Sequence, residues 1–250
     1  MEELLKKING NLIEIKTKLD KDTFHISGGS GNINQQNNNN YYMAQSILAK
    51  HFFKEYFILR NRKGVNEYIA KRLVRNRDYF GPLMLQHGDT DALIVGYSKN
   101  YRTVLRPVLE IIEKAKGVDK IASMMMILSD KKPYFFADTS IHVNPTPEEM
   151  ANIAKMAEFA IKSFAIQPRI AMLSYENFSA NSETSIKVAK AVNILHQKYP
   201  DMIVDGEFQP DFAMSADHLQ DYPFSKLGKT PANTFIFPNL ESANLSYKII

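Results

Sequence analysis

A chain of 250 residues, 44% hydrophobic and 23% charged, is long enough for one large domain or two small ones with a sizeable core. Its formal charge of +4, from 31 basic and 27 acidic side chains, is too slight for nucleic-acid binding but suits a polyanionic small ligand, and the lack of cysteine excludes disulfides, thiolate metal sites and cysteine nucleophiles. No apolar run reaches the roughly 20 residues of a membrane helix, and MEELLKKING lacks the apolar centre of a signal peptide, so a cytoplasmic protein without membrane contact is expected.

The first forty residues are weakly patterned and end in NINQQNNNN (Asn32 to Asn40), a polar tract expected to form a surface loop. From Tyr41 the pattern turns helical through AQSILAKHFFKEYFIL, and a second, basic helical stretch is predicted from Val65 to about Asp78. DALIVG (Asp91 to Gly96) reads as a buried parallel strand, followed by a helix from about Val104 to Lys116. IASMMMIL and PYFFADTS form a predicted hairpin joined at Ser129 to Lys132. Thr146, Pro147, Glu148 and Glu149 then mark a helix start, with the helix running to about Phe164. RIAMLSY is a further strand, followed by a Ser/Asn loop and a helix to about Tyr199; MIVDGE and NTFIFPN repeat the strand pattern. Such alternation predicts an α/β fold, with a parallel sheet covered by helices on both faces.

Three stretches are chemically suggestive. VDGEFQPDFAM gathers Asp205, Glu207 and Asp211, with Gln209 between them, where a strand ends; acids there either cap the next helix or line a ligand site. The basic segment holds Arg60, Arg62, Lys63, Lys71, Arg72, Arg75 and Arg77, and Arg106 stands beside Pro107 at a predicted helix start, where an anion is favoured. The loop SYENFSANSETS offers Ser174, Ser179, Ser182, Thr184 and Ser185 either to cap a helix or to cradle an oxyanion. His25, His51, His87, His142, His196 and His218 are scattered without metal-ligand spacing, so no metal site is assigned, and neither GxGxxG nor GxxxxGK[ST] is present.

Together, DALIVGYSKNYRTVLRPVLEII, FFADTSIHVNPTPEEMANIA, PRIAMLSYENFS, PDMIVDGEFQPDFAM and ANTFIFPNLESANLSYK resemble the phosphate acetyl/butyryltransferase family over about residues 55 to 250. Through SKNYRTVLRP the chain looks most similar to the phosphotransacetylase-like module at the carboxyl end of NADP-dependent malic enzymes. The resemblance implies two α/β subdomains with a cleft between them, related to the isocitrate and isopropylmalate dehydrogenases, with residues 1–117 as the first and 118–250 as the second. It further implies coenzyme A, acetyl-CoA or acyl phosphate as ligand, held by Arg60, Arg106, Asn100, Ser174, Ser179, Ser182, Glu207, Gln209 and Asp211, with no covalent cofactor. A homo-oligomer and a malic enzyme catalytic domain are the implied partners.

Active transacetylases of the family carry a Ser-Arg pair and an Asp base beyond the block that ends here at Tyr247-Lys248, and an apolar opening strand at the amino end. Their lack leads to the expectation of an incomplete or degenerate member with no catalytic residue assigned. On the sequence, an acetyl-CoA-sensing module is therefore favoured over a phosphate acetyltransferase. A decarboxylating dehydrogenase is disfavoured for want of a metal-binding aspartate set.

Overall fold

The structure, a computed structural model, describes residues 14–16, 23–25, 51–95, 100–112, 114, 118, 120–129 and 132–249. The Asn-rich tract, the first turns of the helix expected from Tyr41, Gly96 and the helix end expected at Lys116 lie outside the described residues. The chain divides into two compact units, Met1–Val118 and Asp119–Ile250.

In the first unit, β1 (Glu14–Lys16) and β2 (Thr23–His25) pair antiparallel. Residues 51–60 form helix α1, and a 3-10 turn (Asn61–Lys63) leads through Gly64 to α2 (Glu67–Leu73), α3 (Arg77–His87) and α4 (Tyr101–Ile111). The single helix expected from Val65 to Asp78 is thus two. Asn76 divides them because its side chain accepts the Asp78 N–H and restarts the helix, a competition that short polar side chains win at caps. Phe52, Tyr56, Ala70, Val74, Phe80, Leu83 and Ile111 make the core.

The strand expected at DALIVG is not formed. Residues 91–95 run without strand pairing, Ile94 is 72% exposed, and Leu93 packs over Gly81. A β-branched run becomes a buried strand only where neighbours take its backbone hydrogen bonds, and among the described residues of this unit none does.

The second unit follows the predicted alternation closely. Strands β3 (Met124–Ser129) and β4 (Lys132–Ala137) form the expected hairpin, and β5 (Ile170–Leu173), β6 (Val204–Phe208) and β7 (Thr234–Ile236) complete a sheet of order β3-β4-β7-β5-β6. All neighbours are parallel except β3 and β4, so the sheet is mixed, with an antiparallel edge strand.

Helices cover both faces. Helices α5 (Pro147–Lys162) and α6 (Glu183–Lys198) pack on Phe135, Ala137, Ile170, Met172, Val204 and Ile236. Helices α7 (Pro210–Met214), α8 (Ala216–Leu219) and α9 (Leu240–Ile249) cover Phe136, Ala171, Leu173, Phe208 and Phe235. Both long helices begin with a reciprocal cap, Thr146 with Glu149 and Ser182 with Ser185.

The β5-β6 ladder contains an irregularity that places a carboxylate at the strand end. It steps from Met172↔Gly206 to Leu173↔Phe208, leaving Glu207 as an extra residue. A bulge of this kind reverses the facing of later side chains, which is why Val204 and Phe208 enter opposite cores although four positions apart. Gly206 has φ 148, and a Cβ there would stand 2.4 Å from the Met172 carbonyl oxygen. Gly206→Ala is therefore expected to cost about 2 kcal/mol or more in equilibrium urea unfolding; an unchanged midpoint would show that β6 has room to shift.

Candidate functional site

Four parallel strands end along one edge of the second unit, and buried polar groups stand where they end, Asp138 and Thr139 after β4 and Ser174 after β5. After β4 comes Asp138, 3% exposed. Its Oδ1 accepts the amides of Ser123 (3.2 Å), Ser140 (3.0 Å) and Ile141 (3.2 Å) together with the Ser123 hydroxyl. Its Oδ2 accepts the His142 amide at 3.0 Å and lies 2.6 Å from His142 Nδ1. Burial pushes the Asp138 carboxyl up, but the hydrogen bonds from Ser123, Ser140 and His142 outweigh it and hold the group below its ordinary value. Asp138 is thus an acceptor only.

After β7, the carbonyl of Pro238 takes a 2.7 Å hydrogen bond from Lys187 Nζ, which also donates to Asn144 Oδ1 at 2.7 Å. Both partners are neutral, and desolvation lowers the Lys187 pKa. Lys187 sits in the second turn of α6 and joins the loops that follow β4 and β7.

Ser174 follows β5, and the bulged Glu207 lies at the end of β6; they are 6% and 1% exposed. Glu207 Oε1 accepts the Ala180 amide, and its backbone carbonyl accepts the Phe178 amide at 3.1 Å. Phe178 and Ala180 adopt left-handed φ of 50 and 47, so this side chain pins a strained turn. Glu207 Oε2 and Ser174 Oγ are buried and, among the described residues, meet no hydrogen-bond partner. Burial raises the Glu207 pKa more than the Ala180 and Ser179 amides lower it, and Glu176 adds to the rise.

The other predicted residues of this unit have mixed fates. Ser182 caps α6, and its hydroxyl also reaches Glu176 at 3.4 Å. Ser179 and Ser185 likewise help hold Glu176 ionised, so the loop's hydroxyls gather on a carboxylate rather than forming an open oxyanion cradle. The Gln209 amide donates to Asn177 Oδ1 at 2.8 Å. Asp211 is exposed in the first turn of α7, and Asp205 accepts the amides of Gly206 and Lys226; these two serve the helix end and the backbone.

In the first unit the structure brings Arg60 and Arg106 together on Glu110. Arg106 Nε donates to Glu110 Oε1 at 2.8 Å, Arg60 Nη2 lies 3.8 Å from the same atom, and the Tyr56 hydroxyl donates to Oε2 at 2.8 Å. Burial opposes the Glu110 charge, but Arg106, Tyr56 and Arg60 overcome it and lower its pKa. Arg106 lies in the middle of α4, correcting the expected helix start: Pro107 is accommodated inside the helix, and the amino end is Asn100, whose carbonyl accepts the Thr103 and Val104 amides. Sequence reasoning also missed Lys187 and the Asp138–His142 pair, although acid and imidazole four positions apart just after an apolar run was a readable signal for the pair.

This mixed α/β sheet with its helices is structurally like phosphotransacetylases. The structure of a phosphotransacetylase from Streptococcus pyogenes superposes with a TM-score of 0.71 at 30% identity, covering 80% of this chain and 62% of that one. That of the EutD phosphotransacetylase from Staphylococcus aureus gives a TM-score of 0.69 at 30% identity. Residues 10–250 match the family described as phosphate acetyl/butaryl transferase, and the chain belongs to that family. It is 34% identical over 194 residues to the phosphate acetyltransferase of Bacillus subtilis, covering 77% of this chain and 60% of that protein. It is 32% identical over 207 residues to the NADP-dependent malic enzyme of Salmonella typhimurium, covering 80% of this chain and 27% of that protein. The chain therefore spans less than two thirds of these relatives' length. Among the described residues no helix is long and apolar enough to cross a membrane.

The raised Glu207 pKa has a stability consequence. A carboxyl whose folded pKa lies above its unfolded value favours folding fully below the unfolded value, about 4.3, and loses that contribution as pH climbs through the folded one. Glu207→Gln keeps an acceptor for the Ala180 amide and removes the ionisation. The variant should melt higher than wild type at pH 8 and the difference should shrink toward pH 4 (thermal unfolding by circular dichroism); a pH-independent difference would contradict the shift.

Proposed function

We propose that this chain binds acetyl-CoA and acyl phosphate, with Arg60 and Arg106 meeting the ligand's phosphate charge. The observation that carries this reading is their meeting on Glu110: two guanidinium groups share one carboxylate, so the cluster keeps a positive charge. Arg106 also leaves 76% of its side chain exposed, available to a ligand. Ser174, Glu207 and Gln209, with the serine loop through Ser179 and Ser182, supply polar groups at the strand ends of the second unit, where open α/β sheets receive ligands. In the first unit Asn100, at the amino end of α4, joins the arginines in this proposal, and in the second Asp211 joins the strand-end groups.

Acyl transfer between coenzyme A and phosphate is one use of this binding, supported by the 34% identity to the phosphate acetyltransferase of Bacillus subtilis. The likeness to malic enzymes, of which the matched part is 27% in the Salmonella typhimurium protein, supports a second reading. In it the chain senses acetyl-CoA for an attached malic enzyme catalytic domain, which asks for affinity alone.

Calorimetric titration of acetyl-CoA onto the full chain tests the binding. Arg60→Ala and Arg106→Ala should each weaken it roughly ten- to a hundredfold, the loss expected for a charged hydrogen bond, while leaving the circular dichroism spectrum unchanged. Equal affinity in both folded variants would remove the arginine cluster from the ligand site.

A further inference from the structure

Lys187 is half-buried in the second turn of α6, and its Nζ is held between the Asn144 side-chain oxygen and the Pro238 carbonyl, each at 2.7 Å. The two acceptors take two of its hydrogens. The third position on the tetrahedral nitrogen carries a proton in the ammonium and a lone pair in the free amine, so either form satisfies both oxygens. Desolvation favours the free amine and lowers the pKa, against the weaker pull of Glu183 in the first turn of the same helix.

Other described lysines are arranged differently. Lys71, Lys120, Lys155 and Lys162 each face a carboxylate, which retains the charge. Lys226 and Lys248 also meet neutral oxygens, of Pro200 and Asn244, but both are exposed to water. A lysine placed only to tie the loops after β4 and β7 would be held more firmly by a carboxylate at position 144, because charged acceptors make the stronger bonds. The neutral pair fixes the nitrogen in place while leaving its charge dispensable.

We propose that Lys187 is a modification site, acylated directly by acyl phosphate. After Nζ gives its third proton to solvent, its lone pair attacks the acyl carbon. The carbon–nitrogen bond forms, the bond from that carbon to the bridging phosphate oxygen breaks, and the phosphate leaves with the electron pair and takes up the proton that the nitrogen sheds. The products are an amide on Lys187 and inorganic phosphate. The amide nitrogen keeps one hydrogen, so it can bond Asn144 or Pro238 but not both, and the bridge between the two loops is opened. The reaction draws acyl phosphate from solution onto the second unit alone, and so stands apart from the arginine cluster and the binding proposed above.

The test incubates the full chain with acetyl phosphate, without coenzyme A, and follows the occupancy of each lysine by peptide mass spectrometry. Lys187 should acetylate roughly tenfold faster than Lys190 and Lys198 of the same helix, and the preference should vanish in guanidinium chloride, where the fold that desolvates it is gone. Asn144→Asp keeps the shape of an exposed side chain and sets a carboxylate beside Nζ; it should slow Lys187 roughly tenfold and leave Lys190 and Lys198 unchanged. A Lys187 rate no higher than those of Lys190 and Lys198 would overturn the assignment, as would a preference that survives denaturation or ignores Asn144→Asp. Should that variant not fold, the comparison of native with denatured chain decides. Failure of acetyl-CoA to bind in calorimetry would overturn the binding reading and leave this result standing.

Discussion

A buried carboxylate can remain ionised only if the chain surrounds it with donors, and Asp138 imposes that condition on the second unit. The amides of Ser140, Ile141 and His142 must fold back on it, which turns the chain sharply as β4 ends. Ser123, just before β3, must come to the same point, which fixes the entry of the hairpin against its exit. Ser123 Oγ in turn receives the Thr139 amide at 3.0 Å, so one hydroxyl is bonded to two successive residues of the turn. The Thr146–Glu149 cap then starts α5 four residues beyond His142. The path from β3 through β4 to α5 is thus organised by one charge, and the direction of the His142 ring follows from it.

At the far side of the sheet the same kind of tie is made by the bulge. An extra residue in β6 would be a defect if its side chain met only apolar neighbours. Here the inserted residue is Glu207, and its carboxyl and carbonyl hold the amides of Ala180 and Phe178 in the loop that leaves β5. Gly206 makes the insertion possible, since a side chain there would strike Met172. The two loops at this end of β5 and β6 are therefore coupled, and the opening of α6 at Ser182 inherits its place from them.

Much of the second unit was legible in the sequence, because its strands are continuous apolar runs and its helices open on strong caps: Thr146, Pro147 and Glu149 for one, the serine-rich run for the other. The first unit was less so. DALIVG has strand composition, but composition cannot supply a neighbouring strand, and Ile94 ends up in solvent. Arg60 and Arg106 were legible as basic residues of interest, and Arg106 with Glu110 four positions on is a readable helical pair, yet Arg60 reaches the same carboxylate only because α1 and α4 pack through Tyr56 and Ile111, which no local pattern announces. Arg106 looked like a helix start because Pro107 stands next to it, and proline is tolerated in this helix instead. The His142–Asp138 contact escaped notice because a lone histidine lacks metal spacing; it depends on the carboxylate four residues earlier being buried, a tertiary property.

The two ends of the sheet make opposite use of polar groups. At the amino end of β5, Arg169 directs its guanidinium at the carbonyls of Leu227, Thr230 and Pro231, while Asn233 receives the Arg169 amide at 2.9 Å. Carbonyl oxygens that would otherwise be left over at that end are consumed by one side chain, and desolvation alone lowers the arginine's pKa. At the carboxyl end the balance is reversed: among the described residues, Ser174 Oγ and Glu207 Oε2 are buried without hydrogen-bond partners, and Lys187 rests on neutral oxygens. Unmet hydrogen-bonding capacity costs stability, so a fold built only for stability would distribute or eliminate it. Among the described residues of the second unit, the buried oxygens without partners lie at the edge where four strand ends converge, which is where open α/β sheets receive ligands.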